Sequence, residues 1–261
     1  IKKLFKARDG YKIVQCDLGT AEVYYAAVLS SDKFLQQAFI DKLDFHSYVA
    51  KQMFNLSCEV NEIKKYYPNE RQYAKAITFG IMYQAGPAKI AETVNKDAIA
   101  GEEITKAQSS QFINKYFREA KSLKRFIDDS NKQIENHAFI YSHFGRKRRL
   151  PESKSPNRGV ASHAVRSGVN FLVQSVASDI NLLGVIDLID WIQDNNYEND
   201  MLTFTVVHDS IVSEVREDLI DTYIENAKRC IQKDRGLSIP NCPIKVDFEV
   251  GPSWGELSDY K

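Results

Sequence analysis

A β-hairpin pattern over residues 202–215 constrains the fold of this chain more than any other feature of its sequence. Strand-forming residues occupy both sides of a tight turn at His208-Asp209. An isolated hairpin is barely stable in water, so this one needs further strands or a packed helix. Two more segments, 11–16 and 244–250, have strand-like composition and supply such partners. The sequence therefore predicts an antiparallel sheet built from segments that lie far apart in the chain.

The rest of the chain has mostly helical periodicity. Helical patterns occupy, in order, residues 21–29, 44–54, 70–94, 105–136, 160–193 and 217–233. The 70–94 pattern is either one helix or two helices divided at Gly86-Pro87. A strand-like stretch, 138–150, contains a turn at Gly145. These elements predict an α+β fold, in which an antiparallel sheet is backed by helices and carries a mostly helical insertion.

The composition indicates a globular, intracellular protein. Apolar residues make up 43% and charged residues 27% of the 261 residues, which is enough to bury a core. We find no apolar run that is long enough to span a bilayer, and the N-terminus has no signal-peptide pattern. The four cysteines lack the paired spacing of a zinc ribbon, which favours a reducing compartment. Because basic and acidic residues are equal in number, net charge does not indicate a nucleic-acid partner.

Asp17 and Asp209 are candidate metal ligands. Asp17 ends the first predicted strand, and Asp209 lies at the tip of the hairpin. If these strands share one sheet, both carboxylates meet at its edge, where they repel each other unless a divalent ion neutralises them. Mg²⁺ suits such a pair, because it takes few protein oxygens and leaves positions for phosphate and water. Taken singly, each aspartate is also explained as a residue that shapes a turn.

The helix that begins near Arg71 has an unusual face. Arg71, Lys75, Phe79 and Tyr83 recur every four residues and form a slowly drifting row, while small and aliphatic residues pack inward on the opposite side. This row suits a nucleoside triphosphate, because cations bind phosphates and aromatic rings contact the base and sugar. An amphipathic helix with an aromatic and cationic flank explains the same pattern without a ligand.

Together with their neighbours, these residues resemble the motifs of family A DNA polymerases, the group of bacterial DNA polymerase I and the phage replicases. The resemblance follows the family's order along nearly the whole chain. The segments that carry it are Asp17-Leu-Gly-Thr-Ala-Glu22 (motif A), Arg71-Gln-Tyr-Ala-Lys75-Ala-Ile-Thr-Phe79-Gly-Ile-Met-Tyr83 (motif B), Arg166-Ser-Gly-Val-Asn170-Phe-Leu-Val-Gln174 (minor-groove helix), Val207-His208-Asp209-Ser210 (motif C) and Val250-Gly-Pro-Ser-Trp254 (closing segment).

The resemblance implies a polymerase right-hand fold that lacks its thumb. The palm begins at 1–43 with motif A, the fingers follow at 44–136 with motif B, and the palm resumes at 137–261 with the minor-groove helix, the motif C hairpin and the final strand. Family members carry a thumb, and often an exonuclease domain, before motif A. We therefore expect a thumb or exonuclease portion upstream of this chain or on another chain.

The same resemblance assigns the chemistry to motif residues. Asp17 and Asp209 would bind two Mg²⁺ ions, with the backbone carbonyl of Leu18 as a further ligand. Arg71 and Lys75 would contact the triphosphate, and Lys75 would protonate the departing pyrophosphate.

Three further residues would select the nucleotide. Phe79 would stack near its 3′ position, and Tyr83 would guard the site of the templating base. Glu22 would lie under the sugar and exclude a 2′-hydroxyl.

Four residues would line the duplex near the primer terminus: Arg166, Asn170, Gln174 and His208. Contacts in the minor groove check the geometry of a base pair without reading its sequence.

Four positions depart from the family pattern. Leu18 stands where motif A usually has an aromatic residue or alanine, although only the backbone is needed there. Ser210 stands where motif C usually has glutamate, Tyr24 where motif A commonly has arginine, and Gln84 where glycine usually follows motif B. None of these changes removes an essential metal ligand. Without the third carboxylate, however, we expect a slightly lower affinity for the metal ions.

These inferences predict template-directed DNA synthesis by a two-metal-ion mechanism, with Mg²⁺ as cofactor and with primer-template DNA and dNTPs as partners. The expected location is the cytoplasm or nucleoid, or the host cytoplasm for a viral protein, with no membrane partner. One alternative is a single-subunit RNA polymerase, but Glu22 and the pair Phe79-Gly80 argue against it. The other is a polymerase-derived module that binds DNA without synthesis. Four intact residues argue against it: Asp17, Asp209, Arg71 and Lys75.

Overall fold

The structure, a computed structural model, describes residues 1–96 and 103–260 and contains two compact units. Unit 1 consists of Ile1–Glu22 and Gln174–Lys261, and unit 2 consists of Val23–Val173. The combination of an antiparallel sheet with many helices confirms the predicted α+β class. The two units are defined by packing between residues and not by functional role. The predicted division of the chain into palm and fingers therefore stays a prediction.

The strands of the main sheet belong to unit 1, and helices dominate unit 2. In chain order the strands are β1 (Tyr11–Leu18), β2 (Phe139–Tyr141), β3 (Lys147–Arg149), β4 (Met201–Val207), β5 (Ser210–Arg216), β6 (Val246–Ser253) and β7 (Glu256–Asp259). The α-helices are α1 (Ala21–Ser30), α2 (Lys33–Ile40), α3 (Phe45–Phe54), α4 (Val60–Tyr66), α5 (Pro68–Met82), α6 (Pro87–Asn95), α7 (Lys106–Glu119), α8 (Lys121–His137), α9 (Arg158–Asp194) and α10 (Ile220–Ile231). Short 3-10 helices cover Lys2–Leu4, Pro151–Lys154 and Glu217–Leu219.

β1 is the central strand of the main sheet. The strand order is β4-β5-β1-β6-β7, and each neighbouring pair is antiparallel. The side chains of Val14, Cys16 and Leu18 are buried. Helix α10 packs against β5 and β6, where the hydroxyls of its Tyr223 and of Ser213 in β5 share a hydrogen bond of 2.6 Å. Because β1 is paired on both sides, the register of its last residues is fixed.

β1 extends further than the sequence pattern indicates. The pattern predicts a strand over 11–16 that stops before Asp17, whereas pairing continues through Leu18. Asp17 lies opposite Ser210 on one side and opposite Asp247 on the other. A charged side chain interrupts the apolar alternation, although the backbone of the same residue is fully paired. The predicted position of Asp17 at the end of the strand is confirmed, because only Leu18 follows it in β1, and the predicted bounds are short by two residues.

The predicted hairpin is confirmed as β4 and β5, joined at His208-Asp209. His208 has a left-handed φ of 57°, as tight hairpin turns require. The predicted final strand is confirmed as β6. A further strand, β7, which the sequence pattern does not predict, pairs with β6 at the edge of the sheet.

Local signals account for several helix boundaries in unit 2. Asp44 caps α3 as predicted, since its Oδ2 accepts a hydrogen bond of 2.8 Å from the backbone N–H of Ser47. The 70–94 pattern resolves into two helices, and Pro87 is the first residue of α6. The residues of α5 predicted to pack inward are buried, namely Tyr73, Ala74, Ile77 and Ile81.

The predicted helical pattern over 105–136 is confirmed, and the structure divides it into two helices, because the chain bends at Ala120 between α7 and α8. Ala120 has φ −88° and ψ 60°, outside the helical region. The first amides of α8 donate instead to a distant carboxylate: Oδ2 of Asp32 accepts from the backbone N–H of Ser122 (2.8 Å) and of Leu123 (3.0 Å). Asp32 lies 90 residues earlier than Ser122, so local periodicity cannot reveal this cap.

Helix α9 corrects the sequence-based statement that no segment is long enough to span a bilayer. Its 37 residues include an 18-residue window that is long and apolar enough to cross a membrane by length and composition. In this structure 61% of that window is buried inside the protein, as in the core helix of a globular protein. The helix itself is predicted over 160–193, but polar residues interrupt its apolar run and conceal the window in the sequence. The absence of a membrane partner stays a prediction.

Gly251 provides a test of the sheet edge. A Cβ at this position would lie 1.9 Å from the backbone oxygen of Glu256, at the bulge between β6 and β7. Because a backbone atom cannot move aside cheaply, Gly251→Ala should lower the free energy of unfolding by about 1–3 kcal/mol or more. Gly86→Ser is the control, since a Cβ there meets no heavy atom within 4 Å. Urea unfolding measures both, and equal stabilities of the two variants would contradict the close approach.

Candidate active site

Asp17 is the centre of an acidic cluster in unit 1. Its Oδ1 accepts a hydrogen bond of 2.5 Å from the hydroxyl of Ser210, the residue opposite it in β5. On the other side of β1, Asp247 of β6 is its backbone partner. The carboxylate of Asp247 forms an ion pair of 2.7 Å with Nζ of Lys245. The two sheet neighbours of Asp17 thus supply one hydrogen-bond donor and one further acid.

The electrostatic environment opposes ionisation of Asp17. Burial raises the pKa of Asp17 most, and the negative charges of Asp209 and Asp247 raise it further. The hydrogen bond from Ser210 and the charge of Lys2 act in the opposite direction. The structure therefore brings the two predicted metal ligands, Asp17 and Asp209, close enough for their charges to interact.

The other predicted residues of this end of unit 1 have different exposures. His208 is exposed in the hairpin turn, and Asp209 is half-buried beside it. The side chain of Leu18 is buried, so only its backbone is available for the predicted contact with a metal ion.

The donor chemistry of the cluster fits a divalent cation. Asp17 forms part of the wall of a cavity of about 520 Å³, which is lined by Asp17, Lys245, Asp247, Phe248, Glu249, Asp259 and Tyr260. Carboxylate oxygens are the ligands that Mg²⁺ prefers, and a cation would offset the repulsion between them. Among the residues that the structure describes, no group of three or more His, Cys, Asp or Glu side chains has the geometry of a metal site. The predicted ligand set is smaller, with two carboxylates and one backbone carbonyl.

Glu22 lies in the first turn of α1, shortly after β1. Its Oε1 accepts a hydrogen bond of 3.3 Å from the side-chain amide of Gln174 in α9. Two residues that the sequence assigns to different roles, one to sugar selection and one to the duplex, are therefore in contact within unit 1.

In unit 2, Arg71 is held by a carboxylate that the sequence analysis treats only as a helix cap. The guanidinium of Arg71 donates from Nε to Oδ2 of Asp44 (2.9 Å) and from Nη2 to Oδ1 (2.7 Å). Burial raises the pKa of Asp44, but hydrogen bonds from Arg71 and Ser47 outweigh it and bring the value to about 2. Asp44 is therefore anionic at neutral pH, and this two-point contact fixes the plane of the guanidinium.

His46 is buried beside this ion pair. Its ring lies 5.7 Å from the ring of Phe79, measured between centroids, and its Nδ1 has no hydrogen-bond partner within the described part of the chain. Burial lowers the pKa of His46 to about 4, and the charges of Arg71 and Lys75 act in the same direction, against that of Asp44. His46 is thus neutral at pH 7.

The remaining residues of the α5 row face a cavity between α5 and α6. Lys75, Phe79 and Tyr83 all line this cavity, whose volume is about 420 Å³. The two helices approach closely there, since a Cβ on Gly80 would lie 2.5 Å from Cγ1 of Ile90. The structure therefore brings three of the four predicted residues to one wall, while Arg71 pairs with Asp44.

Three of the four predicted duplex contacts lie on α9, and the fourth, His208, lies in the hairpin turn. Arg166, Asn170 and Gln174 recur every four residues along this continuous helix, so they follow one another in a row. Arg166 and Asn170 are half-buried and Gln174 is exposed. Their contact with DNA stays a prediction.

Comparison with known proteins gives this arrangement its family. The profile of DNA polymerase family A matches residues 1–256. The chain belongs to DNA polymerase family A. A relative within this family is the DNA polymerase of Escherichia phage T5, which is 50% identical over 264 residues, corresponding to 95% of this chain and 31% of the phage protein. DNA polymerase I of Caldicellulosiruptor bescii is 28% identical over 256 residues, which cover 98% of this chain and 28% of that protein.

A solved family A structure has the same fold. The POL domain of Pol1 from M. smegmatis, in complex with DNA primer-template and dNTP, superposes with a TM-score of 0.84 at 25% identity. The alignment covers 97% of this chain and 42% of that one. The family A chain described here therefore spans less than half the length of each of these relatives.

The contacts of three residues near the predicted site have no local signal in the sequence. Asp247 lies in a predicted strand, but only the pairing of β6 with β1 brings it beside Asp17. Asp44 is predicted as a cap, and its second role depends on packing of α3 against α5. Ser210 is interpreted as a lost acid, whereas the structure makes it a hydrogen-bond donor. Each of these contacts joins distant segments, which explains why no local signal indicates it.

His46 should make the stability of this family A chain depend on pH. Its pKa in the folded state is about 4, below the ordinary value of 6.5, so the unfolded state binds more protons between these values. Stability should therefore fall as the pH is lowered from about 7 towards 4.5, by up to about 1.4 kcal/mol per pH unit from this residue.

The variant His46→Gln should remove this part of the slope. His163→Gln is the matched control, because His163 is exposed. Urea unfolding at several pH values measures the slopes, and the same slope for His46→Gln and the parent protein would contradict the assignment.

Proposed function

We propose that this family A chain carries out template-directed DNA synthesis, in which the primer 3′-hydroxyl attacks the α-phosphate of a dNTP and pyrophosphate leaves. The observation that carries the proposal is the pair of carboxylates, Asp17 and Asp209, at one end of the unit 1 sheet. Within residues 1–96 and 103–260, which the structure describes, no arginine forms an ion pair with either carboxylate to offset their mutual repulsion, which is typical of a site that binds cations. Membership of DNA polymerase family A supports the same reaction.

Asp17 and Asp209 would hold two Mg²⁺ ions, together with the backbone carbonyl of Leu18. When bound, such ions supply Lewis-acid stabilisation of the attacking and leaving oxygens. The chain's part is to fix the ligand positions. The central strand β1 supports Asp17, and the tight turn after β4 supports Asp209.

For the triphosphate, the proposal assigns Arg71 and Lys75. Arg71 uses Nε and Nη2 on Asp44, so its Nη1 stays available for a phosphate oxygen. Lys75 is exposed and would donate a proton to the departing pyrophosphate. Phe79, packed against the neutral ring of His46, would contact the sugar near its 3′ position, and Tyr83 would lie at the site of the templating base.

The proposed partners are primer-template DNA and dNTPs, the ligands named for the M. smegmatis structure. Arg166, Asn170, Gln174 and His208 would contact the duplex near the primer terminus. Because the chain spans 31% of the phage relative, we also propose that a thumb or exonuclease portion lies upstream or on another chain. The expected location is the cytoplasm or nucleoid, or the host cytoplasm for a viral protein.

Loss of either carboxylate should abolish synthesis. Asp17→Asn or Asp209→Asn removes a metal ligand, which should lower the extension rate by about 100-fold or more. Asp190→Asn, at an exposed position on α9, is the matched control and should extend primers at the parental rate. Primer extension measures the rate, with duplex binding in parallel to confirm that binding persists. Normal extension by either active-site variant would refute the proposal.

Glu22 should exclude ribonucleotides. Truncation by Glu22→Ala opens space beside the sugar, so the ratio of rNTP to dNTP incorporation should rise by about 10-fold or more, as expected when a polar group that discriminates is removed. Gln174→Ala removes the hydrogen-bond partner of Glu22 but leaves its carboxylate, so this control should change the ratio far less. Single-nucleotide incorporation measures the ratio. An unchanged ratio in Glu22→Ala would assign the selection to another residue and would reopen the possibility of RNA synthesis.

A further inference from the structure

Ser210 occupies the position next to Asp209 where related polymerases usually have an acid. It is the first residue of β5, and the register sets it opposite Asp17 in β1 and opposite Val207 in β4. Its hydroxyl donates a hydrogen bond of 2.5 Å to Oδ1 of Asp17. The contact therefore joins motif C to motif A through side chains across the centre of the sheet.

The chemistry of this contact differs from that of the acid it replaces. Asp17 already interacts with the negative charges of Asp209 and Asp247. A carboxylate at position 210 would add to this repulsion, whereas a hydroxyl donates a proton and adds no charge. Serine at this position thus gives Asp17 a hydrogen-bond donor instead of a further like-charged neighbour.

The hydrogen bond also restricts how Asp17 can turn. A carboxylate on a strand rotates about two side-chain bonds, and a donor fixed to one oxygen removes most of that freedom. With Oδ1 engaged by Ser210, the remaining oxygen, Oδ2, is the one available to a divalent ion. Residues that orient a metal ligand in this way typically change metal affinity by about 10–100-fold when they are removed.

We propose that Ser210 is a positioning residue for Asp17, and that its hydrogen bond to Oδ1 presents Oδ2 to the divalent cation. This inference rests on the proposed function, because that function assigns Asp17 as a metal ligand. It gives the serine of motif C a role in metal affinity that compensates for the absent third carboxylate.

The variants Ser210→Thr and Ser210→Val provide the sharpest comparison. Both side chains are β-branched and nearly equal in shape, but only threonine keeps the hydroxyl. Ser210→Ala tests loss of the hydroxyl without added bulk. Ser258→Ala is the matched control, because it removes a hydroxyl from the same sheet at an exposed position on β7.

The primary readout is Mn²⁺ binding to the full chain without nucleotide or DNA, measured by electron paramagnetic resonance of the free ion. We expect the Kd for Mn²⁺ to rise about 10-fold in the alanine and valine variants and to stay near the parental value in Ser210→Thr and Ser258→Ala. The Mg²⁺ concentration for half-maximal primer extension should shift by a similar factor, with kcat largely recovered at saturating Mg²⁺. Thermal unfolding of each variant shows whether it is folded, and the threonine and valine pair decides the question if the alanine variant is not.

The outcomes distinguish this inference from the proposed function. Parental Mn²⁺ affinity in both Ser210→Val and Ser210→Ala, with binding lost in Asp17→Asn, would overturn the role of Ser210 and leave the metal assignment standing. Parental Mn²⁺ affinity in Asp17→Asn would overturn the metal assignment itself, and the role of Ser210 with it. Equal weakening in the threonine and valine variants would show that shape matters and the hydroxyl does not, which also overturns the inference.

Discussion

The pairing of β1 with a strand on each side is the constraint on which the rest of unit 1 depends. Side chains of a strand alternate between faces, so a shift of one residue would move every side chain to the opposite face. Burial of Val14, Cys16 and Leu18 prevents such a shift. The same register holds Asp17 opposite Ser210 and Asp247, so the packing of the core also determines the geometry of the acidic cluster.

Much of the fold could be predicted from sequence, because its signals are local. A hairpin is encoded by strand formers on both sides of a short turn, and a capped helix by an acid before its first turn. The inward face of α5 follows from its periodicity. These features need only a few neighbouring residues, and the structure confirms them. The α+β class follows from the same local signals.

What the sequence could not reveal comes from contacts between distant segments. The pairing of Arg71 with Asp44 depends on packing of α3 against α5, and the role of Ser210 depends on the register of β1 and β5. The motif resemblance predicts which residues of each segment take part in the reaction. It could not indicate that a serine in place of an acid would donate a hydrogen bond to the neighbouring motif. Only the three-dimensional contacts distinguish a position that has simply lost its carboxylate from one where a hydroxyl takes its place with different chemistry.

The cap that Asp32 supplies to α8 has a consequence for how unit 2 assembles. A helix that is capped by its own flanking residue needs no distant contact to complete its first turn. The first turn of α8 is instead capped by Asp32, which lies 90 residues before Ser122. Closing so long a loop costs conformational entropy before the contact is gained, and non-local contacts of this kind slow folding. Although unit 2 is mostly helical, the corner between α7 and α8 therefore depends on a late, long-range step of the type usually associated with sheets. The first turn of α8 is thus completed by a side chain from the start of α2.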